Sequence, residues 1–169
     1  GNGLIEGGGV RPAKEAGRVS QVQSMLSTPW AIEFGAKTLL FGRNTELGKD
    51  GESPYFKRHG CHPGHIRIPY GSCVWFMPTP VKGEEPGTFQ KKLLRGIFVG
   101  YWLHSGGRFK GEYLVAEWSS FVENPQCTPY DARIHRTREV VPPGKLEGVR
   151  FPLAEYARRV EEFQRTGLT

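Results

Sequence analysis

The stretch 89–122, FQKKLLRGIFVGYWLHSGGRFKGEYLVAEWSSFV, leaves this chain the fewest ways to fold. Its middle, Gly96 to Leu103, is the longest run rich in aromatic and β-branched residues, and glycines punctuate it. Such residues fit a pleated, half-buried surface better than a helix. Ser105-Gly106-Gly107 then reads as a tight turn, and Glu112 to Trp118 as the returning strand. A hairpin joined by a short glycine-containing loop is the expectation. Lys91, Lys92 and Arg95 enter it, and Arg108 and Lys110 flank its turn, so both visible ends carry positive charge.

The chain on either side is less explicit. Residues 1–17 contain three consecutive glycines and Pro12, and read as poorly structured. Val19, Val22 and Met25 or Leu26 recur at helical spacing. A second helix is expected from Thr28, as N-cap before Pro29, to Gly42. It carries Trp30, Phe34 and Phe41 on a wide apolar surface that needs a partner. Residues 43–65 read as loop, with Asp50-Gly51 and Ser53-Pro54 as turn signals. Ile66–Ile68 and Ser72–Met77 read as short strand pieces, Pro78 to Gly87 as a surface loop, and Ala132–Val141 as a closing strand. A last helix, Phe151–Thr166, starts near Pro152 and ends at Gly167. It sets Glu155 four residues from Arg159, and Arg158 four from Glu162.

Composition narrows the function classes. At 169 residues the chain buries one modest core and has room for a helical appendage. No apolar run approaches the roughly 20 residues of a membrane span. Three cysteines, Cys61, Cys73 and Cys127, are too few for a disulfide framework, and an odd count fits a reducing compartment. The chain does not begin with Met and shows no signal-peptide pattern, so it reads as processed or incomplete at its start. The net charge is +6, and residues 53–112 hold all of the excess, with nine basic and three acidic residues. Concentration in one segment points to a polyanionic partner. His59, Cys61, His62, His65 and Cys73 cluster in sequence, but their spacing fits no standard zinc finger or ribbon, and Pro63-Gly64 marks a plain turn. The aromatic set around Trp75, Phe98, Trp102 and Trp118 reads as core, with alternate members exposed for stacking on bases.

Several motifs in order resemble one family. Ser53-Pro54-Tyr55 followed by His59-Gly60, then Ile66-Arg67-Ile68…Gly71-Ser72-Cys73-Val74, are similar to segments that follow the catalytic core of copia-type retrotransposon integrases. Lys91-Lys92…Arg95-Gly96-Ile97-Phe98-Val99-Gly100-Tyr101 is close to their "K…KGIFVGY" strand. Lys110–Val115 and Arg136–Val141 fit two later strands of that family, and Asn2-Gly3-Leu4-Ile5-Glu6 looks like the segment carrying its third acidic metal ligand. The resemblance spans roughly residues 1–142 and implies the end of an RNase H-like core followed by a small SH3-like barrel that binds nucleic acid. Here Glu6 precedes Gly7-Gly8-Gly9 where the family continues a basic helix, and two upstream aspartates have no counterpart. Two-metal phosphoryl transfer needs clustered carboxylates held rigidly, so no catalytic residue, metal or cofactor is expected.

The fold expected is therefore α+β. Residues 1–52 form a Gly-rich start and helical remnant with no preceding sheet to bury it. Residues 53–150 form a basic SH3-like antiparallel barrel over about 66–141, and residues 151–169 a C-terminal amphipathic helix. The expected function is that of a non-catalytic, integrase-derived, nucleic-acid-binding structural subunit of a larger, ribosome-like nucleoprotein assembly. It would touch RNA or DNA through Lys57, Arg58, Arg67, Lys91, Lys92, Arg95, Arg108, Lys110 and Trp102, and neighbouring protein subunits elsewhere. The compartment would be intracellular, mitochondrial or nuclear. A fragment of a working integrase and a pure protein scaffold are the alternatives.

Overall fold

The expected hairpin is the centre of the computed structural model, which describes residues 26–78, 92–142, 144 and 147–167. Strands β1 (Cys73–Phe76), β2 (Leu94–His104), β3 (Arg108–Glu117), β4 (Ile134–Thr137) and β5 (Val140–Val141) form one antiparallel sheet in the order β4-β3-β2-β1-β5. The β2–β3 ladder runs from Gly96 opposite Glu117 to His104 opposite Arg108, with irregularities between Phe98 and Gly100 and between Tyr101 and Leu103. The segment expected as one closing strand splits in two. β4 pairs with β3 at one edge and β5 with β1 at the other, so Arg138 and Glu139 alone carry the chain between the two edges. The sheet must curl for two residues to span it. Thr137 Oγ1 donates to Met77 O at 2.8 Å and Met77 N donates to Glu139 O at 3.0 Å, pinning the crossing to the end of β1. Among the described residues no ladder joins β4 to β5, so the sheet is curled but not closed.

The concave side holds Val74, Phe76, Phe98, Phe109, Tyr113, Val115 and Val140. Alternation along each strand sends Ile97, Val99 and Ala116 to the opposite side, into a second apolar cluster. Gly96 is required where the two faces tighten. A Cβ there would lie 2.4 Å from Val115 Cγ1 and 2.9 Å from Phe76 Cε1.

The apolar N-terminal helix finds its partner on this sheet, contrary to the expectation that nothing in the chain would bury it. Helix α1 runs continuously from Thr28–Trp30 through a π-helical segment, Ala31–Gly35, into Ala36–Asn44. It continues past Gly42, where the sequence suggested its end, and its N-cap is Ser27 rather than Thr28. Trp30 is 1% exposed, packs against Phe121 and donates from Nε1 to Cys127 O at 2.7 Å. Thr38 Oγ1 lies 2.9 Å from Phe34 O and 3.1 Å from Val99 O. The helix approaches β2 so closely that a Cβ on Gly100 would meet Thr38 Oγ1 at 2.9 Å. Phe41 reaches the concave core beside Tyr101 and Phe109.

Two short helices were not legible. Helix α2 (Pro54–His59) occupies part of the expected loop. Ser53 is its N-cap, accepting from Phe56 N at 3.0 Å, Pro54 begins it and Gly60 closes it at φ 74°. Helix α3 (Trp118–Glu123) begins at Trp118, which was read as strand. Conversely, Ile66–Ile68 is not a strand. Ile66 N donates to Tyr113 Oη, while Tyr101 Oη donates to Ile66 O and accepts from Ile68 N, so tyrosine hydroxyls take the place of a ladder. Helix α4 (Pro152–Thr166) and its Gly167 cap at φ 65° are as expected. Pro152 and Leu153 are buried against the body, and Tyr156, Val160 and Phe163 are exposed. Glu155 pairs with Arg150 at 2.7 Å, a bond the sequence did not suggest. The expectations for residues 1–25, including Glu6 and a helix through Val19 and Val22, lie outside the described residues, as does the loop 79–91. Among the described residues no helix is long and apolar enough to cross a membrane.

Candidate nucleic-acid interface

The β2–β3 hairpin sorts the expected basic residues into two groups. Arg95 and His104 are nine positions apart along β2, which at ~3.3 Å per residue is about 30 Å. Lys92 and Arg95 therefore sit at one end and Arg108 and Lys110 at the other, so the turn cannot close over a ligand held by both. Arg95 is half-buried, its Nε 3.1 Å from Cys73 Sγ and its guanidinium 5.4 Å from the Trp118 ring centroid. Lys92 is exposed, and Lys91 lies outside the described residues.

Two more of the expected contacts are occupied within the chain. Lys57 Nζ lies 2.7 Å from Asp50 Oδ2, an exposed pair that lowers the Asp50 pKa and raises that of Lys57. Arg67 donates to Thr45 O at 3.2 Å.

The turn end is different. Trp102 is exposed on the outer side of β2, and the Arg136 guanidinium lies 4.9 Å from its ring centroid. Glu112, whose side chain is 12% exposed, anchors this surface. Its carboxylate takes Arg136 Nε at 2.8 Å and His104 Nε2 at 3.1 Å, with Arg138 Nη2 at 3.7 Å. Arg138 also donates to Lys110 O at 2.9 Å, drawing β4 to the bulged part of β3. One carboxylate thus organises two guanidiniums around an exposed tryptophan, with Lys110 and Arg108 exposed alongside. Arg136, Arg138, His104 and Glu112 were not singled out from sequence. Arg136 stands on β4 and Arg138 in the crossing just after it, so no strand period marks the pair.

Around the turn lies a groove of about 320 Å³. Lys37, Leu40, Phe41 and Asn44 of α1, Pro54, Tyr55, Arg58 and His59 of α2, and Leu103, Gly106 and Gly107 of the hairpin line it. Tyr55 Oη accepts from Phe109 N, fixing α2 to the hairpin. Burial, then the Arg108 and Arg58 guanidiniums, hold the His59 imidazole below its ordinary pKa, so it is neutral at physiological pH. Arg58 and His59 line the groove together with Gly106 and Gly107 of the turn, so Arg58 joins Arg108 at this end.

No protein-family model, curated protein or solved structure matches this chain. The histidines near α2 lie against aromatic rings: His59 against Tyr55, His62 against Phe56, and His65 among Phe41, Tyr101 and Phe109, while Cys61 is exposed. Among the described residues no three His, Cys, Asp or Glu side chains gather as a metal site.

Proposed function

We propose that this chain is an integrase-derived, non-catalytic subunit that binds nucleic acid through the turn end of its central hairpin. Its curled sheet would be an open SH3-like barrel whose two edges the Arg138–Glu139 crossing links. The observation that carries this reading is the Arg136 guanidinium over the exposed Trp102 ring, with Arg138 bonded to the Lys110 carbonyl and Lys110 and Arg108 exposed on the neighbouring strand. Guanidiniums and ammoniums engage phosphates without reading sequence, and an exposed indole stacks on any base. The motif order shared with copia-type integrases supports the same ligand. Neighbouring subunits of a nucleoprotein assembly would meet the remaining surfaces.

Fluorescence anisotropy with labelled random-sequence RNA and DNA at several salt concentrations tests this. Binding should weaken steeply with salt, because each neutralised phosphate releases counterions and contributes a log–log slope of roughly −0.7 to −0.9. Arg108→Ala/Lys110→Ala should flatten the slope by about 1.5. Binding that ignores salt, or a slope unchanged in this double variant, would refute the reading.

A further inference from the structure

Building on nucleic-acid binding, we propose that the groove between α1, α2 and the hairpin turn is a seat for one unpaired nucleotide, so that the chain prefers single strands. The volume, about 320 Å³, falls at the small end of ligand sites. Among the described residues that line it none is acidic, while Lys37 of α1 and Arg58 of α2 are exposed cations. Such a pair suits one phosphate. The rest of the lining suits a base. Leu40 is 60% exposed, an apolar wall that a flat ring would cover. The neutral His59 imidazole supplies an aromatic face held in place by Tyr55, with ring centroids 4.4 Å apart. Asn44 is exposed at the rim and offers the amide donor–acceptor pair that matches a base edge. A paired base within a duplex cannot enter, because its edges and faces are already taken up by pairing and stacking; a splayed base in a single strand can.

Leu103 lines the groove and Trp102 stands on the opposite face of β2, so the two surfaces meet around the end of the hairpin. A strand could run from Trp102 past Arg108 and set its next unstacked base beside Leu40.

The test separates base contacts from charge. Leu40→Ala/Asn44→Ala changes no charge and places the best helix former at two exposed helical positions. The full chain and this variant are titrated with a 12-nucleotide single strand and with the duplex of the same sequence. The wild-type chain should hold the single strand about tenfold more tightly, and the variant should lose about that factor, as expected for one lost base contact. Duplex affinity and both salt slopes should be unchanged. Equal affinity for both forms, or a variant without effect on the single strand, overturns the groove while leaving the Trp102 surface standing. Failure to bind either form overturns both. A poly-glutamate peptide that binds as tightly as the single strand, and loses affinity in the same variant, overturns the nucleotide seat in favour of an acidic protein partner.

Discussion

Removing the Trp30 side chain should unfold the whole molecule earlier rather than loosen one helix. The indole is 1% exposed, sits 5.5 Å from the Phe121 ring and 5.9 Å from the Phe34 ring, and donates its N–H to Cys127 O at 2.7 Å. Truncation of a buried aromatic to alanine costs about 3–5 kcal/mol. Trp30→Phe keeps most of the volume but leaves the buried Cys127 carbonyl without its donor, which costs about 1–3 kcal/mol. For a chain of this size each kcal/mol moves Tm by roughly 2–4 °C. The alanine variant should therefore melt roughly 6–20 °C below wild type and the phenylalanine variant roughly 2–12 °C below. Circular dichroism melts and urea titrations read both. One cooperative transition is expected throughout, because α1, α3 and the outer side of β2 share one apolar cluster. A separate low-temperature helix transition, or an alanine variant within 2 °C of wild type, would refute the claim that α1 belongs to the same packed body.

Three further expectations concern stability. Gly96→Ala should destabilise by about 1–3 kcal/mol, because the new Cβ meets Val115 Cγ1 at 2.4 Å and the fixed Ala116 carbonyl at 2.8 Å; an unchanged urea midpoint would show that the sheet yields there. Tyr70→Phe should raise Tm, since the Tyr70 hydroxyl is buried and, among the described residues, makes no hydrogen bond, and burial pushes its pKa up; a fall in Tm would reveal a partner. Stability should also decline below about pH 6.5. Burial, then Arg67, hold the His65 pKa below its ordinary value, so the unfolded chain takes up the proton first and native stability is lost as pH falls from the unfolded toward the folded pKa. His65→Phe should flatten the Tm-versus-pH curve in that window, His59 contributing in the same direction, and a variant curve parallel to wild type would dismiss the effect.

The parts of this fold that read directly from sequence are those whose signal is local and long. The Gly96–Leu103 run, the Ser105-Gly106-Gly107 turn and the Pro152-to-Gly167 helix declare themselves through composition, turn residues and caps. Helix α2 hides because six residues cannot display a helical period, and its Ser53-Pro54 start doubles as a turn signal. Ile66–Ile68 misleads for another reason. Its residues favour strand, but tertiary hydroxyls from Tyr101 and Tyr113 satisfy its backbone. The division of residues 134–141 between opposite edges depends on the curl of the whole sheet, which no local pattern records. The candidate site divides similarly. Arg108, Lys110, Arg58 and Trp102 were legible as basic and aromatic residues near a turn. Lys37 and Leu40 were not, because they reach the groove only when α1 lies across β2. Lys92 and Arg95 look contiguous with the turn in a charge count and are parted by the length of the strand.

The most direct test of nucleic-acid binding at the turn end is a two-dimensional amide NMR titration of the full chain with a short single-stranded oligonucleotide. Shifts should concentrate at Lys37–Asn44, Arg58–Gly60, Trp102–Lys110 and Arg136–Arg138, with Lys92, Arg95 and Tyr156–Phe163 little moved. Shifts confined to Lys92 and Arg95 or to α4, or none at saturating oligonucleotide, would contradict it.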